Sequence, residues 1–184
     1  MSSTMDVRNA RPSEIDALAR IWFHGWQEGH AHLLPAELAL LRTLQSFQER
    51  LAASLERVRV VGPADSPVGF CITKGAQLDQ LYVSSEARGS GVAAALIVDA
   101  EARLREGGVR RSWLACAIGN ERAARFYEKR GWMRTGTVVE HLEAGTGTFP
   151  LEVWRYEKSL ECSGVEIREG RSSGPVPAGA QKPE

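Results

Sequence analysis

The chain is short of several features that would place it in an extracellular, membrane or nucleic-acid-binding class. It has only three cysteines, Cys71, Cys116 and Cys162, far apart and without a C-x-x-C pair, so neither a disulfide framework nor a cysteine zinc site is expected. No apolar run approaches the roughly 18 residues of a membrane span, and the opening MSSTMDVRNARPSE carries charges where a secretory leader needs apolar residues. These absences predict a cytoplasmic protein with no membrane partner. Charge of one sign is also lacking: 23 Lys plus Arg balance 23 Asp plus Glu, which argues against nucleic acid as a partner. Three of the four histidines, His24, His30 and His32, fall within WFHGWQEGHAHLLP, but at mixed spacing and with no cysteine nearby, so no metal site is expected.

What is present suits one domain with a real core, since the 184 residues exceed the length at which most domains fold. The expected domain covers 5–161. From Cys162 the composition turns to CSGVEIREGRSSGPVPAGAQKPE, whose small, polar and proline residues bury too little apolar area to offset ordering entropy, and 162–184 is expected to be a flexible tail.

Hydrophobic periodicity lays out the rest. A short strand at MDVRNA is followed by a helix with Ser13 as N-cap and Ile15, Leu18, Ala19 and Trp22 at helical spacing. One further helical stretch is expected over 36–55. RVRVVG and VGFCITK flank the turn-rich PADSP as antiparallel strands, and a third strand runs over 77–83. A helix over 91–106 then keeps Val92, Leu96, Ala100 and Leu104 on one face and stops at Gly107-Gly108. RSWLACAI, a short helix capped by Asn120, and the strands MRTGTVVEH and FPLEVWRYEKSL close the domain. Strands mixed with helices around one strand–helix–strand crossover predict an α/β or α+β domain with a mixed sheet, whose ligand site lies at the carboxyl ends of the parallel pair.

The crossover contains the most informative stretch, LYVSSEARGSGVAAALIVDAEARLREGG. Gly89, Gly91 and Ala94 satisfy G-x-G-x-x-G/A, but a dinucleotide site also calls for an acidic residue about 20 positions on, and no acid lies between Glu106 and Glu121. The glycines alone could serve only a tight turn. Taken with Arg88, the run Arg88-Gly89-Ser90-Gly91-Val92-Ala93 resembles the R/Q-x-x-G-x-G/A signature of the GNAT superfamily of acyl-CoA-dependent N-acetyltransferases. A second segment, NERAARFYEKRGW over 120–132, resembles that family's N-x-x-A-x-x-F/L-Y-x-x-x-G-F pattern at Asn120, Ala123, Phe126, Tyr127 and Gly131, with Trp132 in place of the final Phe.

The resemblance implies a central mixed, mostly antiparallel sheet of about six to seven strands, about four helices and a splayed parallel strand pair. It implies acetyl-CoA as donor, its pyrophosphate resting on amides at the helix N-terminus, where glycine permits φ > 0 and leaves no side chain in the way. Arg88, Gly89, Ser90, Gly91, Val92 and Ala93 would form that site. The pantetheine arm would pair with the main chain of Leu81, Tyr82 and Val83, with Asn120 and Ala123 beside it. Tyr127 occupies the position of the general acid, suited by its phenol to protonate a departing thiolate. Asp79, on the strand face expected to carry Leu81 and Val83, is a candidate base, as are a histidine and water. Trp22, Trp26 and His30 are candidates for the acceptor pocket, aromatic walls being suited to a small amine. The acceptor would be a small-molecule or peptide amine, and the family admits a homodimer. A non-catalytic acyl-CoA sensor is the alternative, and it would need no Tyr127.

Overall fold

In the computed structural model, residues 5–144 and 147–161 are described. The expected tail lies outside them. A seven-stranded sheet runs in the order β1-β2-β3-β4-β5-β7-β6. Its strands are β1 (Val7–Asn9), β2 (Val58–Val61), β3 (Gly69–Lys74), β4 (Gln77–Val83), β5 (Arg111–Ala117), β6 (Met133–Ala144) and β7 (Gly147–Ser159). All neighbours are antiparallel except β4 and β5. The helices are α1 (Ile15–Gly29), α2 (Ala36–Leu41), α3 (Leu44–Ser54), α4 (Val92–Glu106) and α5 (Glu121–Lys129). The mixed sheet and its single parallel pair are as the sequence predicts.

Two apolar clusters fill the two faces of the sheet. On one, α1 and α3 bring Leu18, Trp22, Trp26, Phe47 and Leu51 against Val58, Val60, Phe70 and Ile72. On the other, α4 and α5 pack Val92, Leu96, Ala100 and Ala124 against Cys71, Leu78, Leu114 and Trp132. The α4 stripe fixes that helix: Val92, Leu96, Ala100 and Leu104 are each at most 5% exposed, and a buried Leu contributes about 1.5–3 kcal/mol. Gly69 lets α4 approach β3, since a Cβ there would stand 2.7 Å from Val92 Cγ1. Packing of this one stripe therefore decides where the N-terminus of α4 points.

Two local expectations differ from the structure. The stretch 36–55 is broken at Arg42-Thr43, because Thr43 is extended and its Oγ1 accepts from Ser46 N at 3.2 Å, starting α3 afresh. Ser13 does not cap α1; its Oγ donates to Asp65 Oδ1 at 2.7 Å. The entry to α1 is anchored instead by Glu14, fully buried, which accepts from Arg11 N, Asp65 N and the Arg8 guanidinium at 2.8, 3.1 and 2.6 Å. Those bonds hold its carboxyl below the usual carboxylate range, and a buried charge with fewer partners would be costly.

Candidate active site

The site arises where the sheet comes apart. β5 pairs with β7 along its whole length, Arg111 opposite Ser159 through Ala117 opposite Val153. With β4 it has one registered pair, Gln77 opposite Trp113. The anchoring is local: Trp113 N and Ser112 Oγ both donate to Ala76 O, at 3.2 and 2.8 Å. Beyond that point the strands separate, and 78–83 have no ladder partner on the β5 side. A cleft of about 930 Å³ occupies the gap and continues beneath α1 and α3.

The glycine loop closes one end of the cleft. Gly89 and Gly91 have φ of +78° and +92°, and a Cβ at Gly89 would meet nothing within 4 Å. Backbone conformation, not crowding, is what demands glycine here. Gly91 is the N-cap of α4, so the amides that open the helix have no intrahelical acceptor and carry the positive end of its dipole. Arg88, Gly89, Gly91, Val92 and Ala93 all line the cleft. Ser90 does not: its N–H and hydroxyl both donate to Ala87 O, at 3.4 and 2.5 Å. Arg88 is paired with Glu28, near the end of α1. Both partners are well exposed, so that pair contributes little and can yield to a polyanion.

Asn120 starts α5 as expected, its Oδ1 accepting from Ala123 N at 3.2 Å, and its Nδ2 would lie 3.2 Å from a Cβ placed on Gly29. The next turn places Tyr127 in the cleft, between Phe126 and Tyr156 with ring centroids 5.5 and 6.2 Å away. Burial, reinforced by Cys116 and Tyr82, pushes its phenol up from the ordinary value. It therefore remains a neutral O–H donor across the physiological range. The end of the motif is tied down by Trp132, 1% exposed, whose Nε1–H donates to Glu101 Oε1 at 3.0 Å.

β4 contributes differently from its expected pattern. Its pairing with β3 slips between Ile72 and Thr73, which stand opposite Gln80 and Leu78, so Asp79 is the extra residue of a β-bulge. The bulge shifts the alternation: Leu78 packs in the α4 cluster with Leu81 and Val83, and Asp79 is the residue left without a partner on β3. The carboxylate still lines the cleft, and it is one of the groups that raise the Tyr82 phenol, whose main cause is burial. Tyr82 itself turns to the α1 side, 5.8 Å from Phe70 and 6.0 Å from Trp22.

Trp22, Trp26 and His30 line the cleft from α1 and just beyond it. The two tryptophans, 3% and 6% exposed, are also core residues. His30 is stacked on Trp26 at 6.1 Å, and burial lowers its pKa to about 4. It is neutral at pH 7 but takes up a proton poorly. Sequence reasoning missed Gly25, where a Cβ would stand 2.6 Å from Tyr82 Cδ1, and the cleft arginines Arg42, Arg50 and Arg57. The close approach at Gly25 has no local signature, and the arginines enter the cleft only through the packing of α2 and α3. Among the described residues no group of His, Cys, Asp and Glu could hold a metal, and no helix is long and apolar enough to cross a membrane.

The Acetyltransferase (GNAT) family matches residues 17–132. A curated relative, the peptidyl-lysine N-acetyltransferase YjaB of Escherichia coli, is 28% identical over 135 residues, covering 72% of this chain and 84% of the relative. Among solved structures, a GCN5-related N-acetyltransferase from Rhodopseudomonas palustris superposes with a TM-score of 0.67 at 23% identity, over 86% of this chain and 98% of the other. The PaiA N-acetyltransferase of Thermoplasma acidophilum, solved with coenzyme A, gives 0.63 at 19% identity over 86% and 99%. Both motif segments, 88–93 and 120–132, lie within the family match, and this chain belongs to the GNAT acetyltransferase family and is an acyltransferase.

Proposed function

We propose that the domain over 5–161 transfers an acetyl group from acetyl-CoA to a primary amine of a small molecule or peptide by direct attack on the thioester. The observation that carries this reading is the cleft between β4 and β5, which joins an open helix N-terminus, an unpaired strand edge and a half-buried tyrosine. The donor pyrophosphate fits the amides from Gly89 to Ala93, with Arg88 released from Glu28 to meet it. The pantetheine arm adds to the β4 main chain at Leu81, Tyr82 and Val83, flanked by Asn120 and Ala123. PaiA in complex with coenzyme A supports the donor, and the peptidyl-lysine activity named for YjaB supports an amine acceptor.

The chemical roles follow. The amine nitrogen attacks the thioester carbon, forming the C–N bond, and the N–H of Val83 stabilises the oxyanion. As the C–S bond breaks, the thiolate takes the Tyr127 hydroxyl proton. The proton lost by the amine goes to Asp79, directly or through water. Trp22, Trp26 and His30 wall the acceptor side. The test combines the full chain with acetyl-CoA and an amine panel, following free thiol and the mass of the product. Thiol release matched by an N-acetylated amine is expected; none above background for any amine would reject the reading.

A further inference from the structure

The α1–α3 wall sorts its charges by face. Residues 15–57 contain five carboxylates, Asp16, Glu28, Glu37, Glu49 and Glu56, and none of them lines the cleft. The same stretch sends Arg42, Arg50 and Arg57 into the lining. Arg42 is only 6% exposed, and a guanidinium cannot shed its proton, so a full positive charge is fixed on this wall. Arg50 lies over the Trp22 ring, 5.2 Å from its centroid, and among the described residues it makes no ion pair. Trp22 in turn stands 6.0 Å from Tyr82, which places Arg50 on the part of the cleft bordered by β4, the strand that carries Asp79. Cations on the helix wall and a carboxylate on β4 thus line one cleft.

That pattern is complementary to a molecule with an amine and an anionic group a few bonds apart. We propose that the acceptor is an amine that also carries a carboxylate, a free amino acid being the simplest, with its carboxylate on Arg50 and its amine turned to Asp79. The proposal rests on the reading of the cleft as an acetyl-transfer site. A polyamine, or a lysine flanked by basic residues, would bring positive charge to a wall that lines the cleft with Arg50 and Arg57 and with no carboxylate, and like-charge contact is an effective way to reject a competitor.

Matched acceptors separate the possibilities: amino acids against their carboxamides, spermidine, a phosphorylated amine and a neutral lysine peptide, each with acetyl-CoA and the full chain. The expected result is a kcat/KM at least tenfold higher for the free acids than for their amides. Arg50→Gln should collapse that ratio towards one by raising KM for the acids, and Arg50→Lys should restore part of it. Coenzyme A affinity, measured alongside, should stay unchanged if the variants are folded. Amides, spermidine, the phosphorylated amine or the peptide matching or surpassing the acids would overturn the carboxylate proposal and leave acetyl transfer standing. Absence of thiol release with every amine would overturn both.

Discussion

The two ends of the cleft present different kinds of group to a ligand. At the glycine loop the groups on offer are main-chain amides, at positions where φ of +78° and +92° admit little but glycine. Under α1 and α3 they are side chains: tryptophans, a histidine and arginines brought in by helix packing. Backbone recognition restricts the residue types that can occupy a position, so it leaves a readable pattern. Side-chain recognition leaves the residue types free to follow the ligand.

If this division holds, each end can be damaged with the other intact. Gly91→Val forces a β-branched residue into φ of +92°, and strain of up to about 3 kcal/mol at the start of α4 should weaken coenzyme A binding about a hundredfold. Calorimetric titration measures this, and the acid-to-amide preference of the residual activity should not change. Equal affinity would mean that the loop amides do not hold the donor.

At the acceptor end the next largest effect is a pH dependence. The ordinary histidine pKa is 6.5, and burial lowers that of His30 to about 4. The unfolded chain takes up this proton as pH falls through 6.5, whereas the folded chain resists until about 4, so stability present above pH 6.5 is lost between these values. The loss from this group is about 3 kcal/mol by linkage. Urea midpoints for wild type and His30→Gln should diverge over that window; parallel curves would exclude the imidazole. Glu14, held low by Arg8, acts at still lower pH with the usual carboxylate sign and is common to both proteins.

Gly25→Ala places a Cβ 2.6 Å from the Tyr82 ring, which has to move. Acceptor KM should rise about tenfold, in line with an overpacking cost of 1–3 kcal/mol, with coenzyme A affinity unaffected. An unchanged KM would show that Tyr82 has no part in the acceptor pocket. Glu28→Gln, the smallest change, removes the exposed partner of Arg88 and should tighten coenzyme A binding no more than about threefold. Weaker binding would mean that the pair orders the loop instead of competing for it.

How much of this was legible in the sequence follows the same division. Gly89, Gly91 and the segment from Asn120 to Trp132 were visible because a left-handed turn into a helix start and a capped aromatic helix limit residue choice. The α4 stripe was visible because 3.6-residue periodicity survives intact from Val92 to Leu104. The bulge at Asp79 was not, since an alternating pattern cannot show that one residue is extra until its partner strand is known. The break at Arg42-Thr43 was masked by leucines on both sides whose spacing continued across it. Arg42, Arg50 and Arg57 looked like ordinary surface charges, and only the turn of α2 and α3 brings them into the cleft.

The central claim is that Tyr127 acts in the transfer step and not in holding the donor. Tyr127→Phe removes one oxygen from a ring packed between Phe126 and Tyr156 and should leave the fold in place. Measured with saturating acetyl-CoA and acceptor, kcat should fall about 10²–10⁴-fold, with coenzyme A affinity within twofold of wild type. A kcat equal to that of wild type would contradict the account.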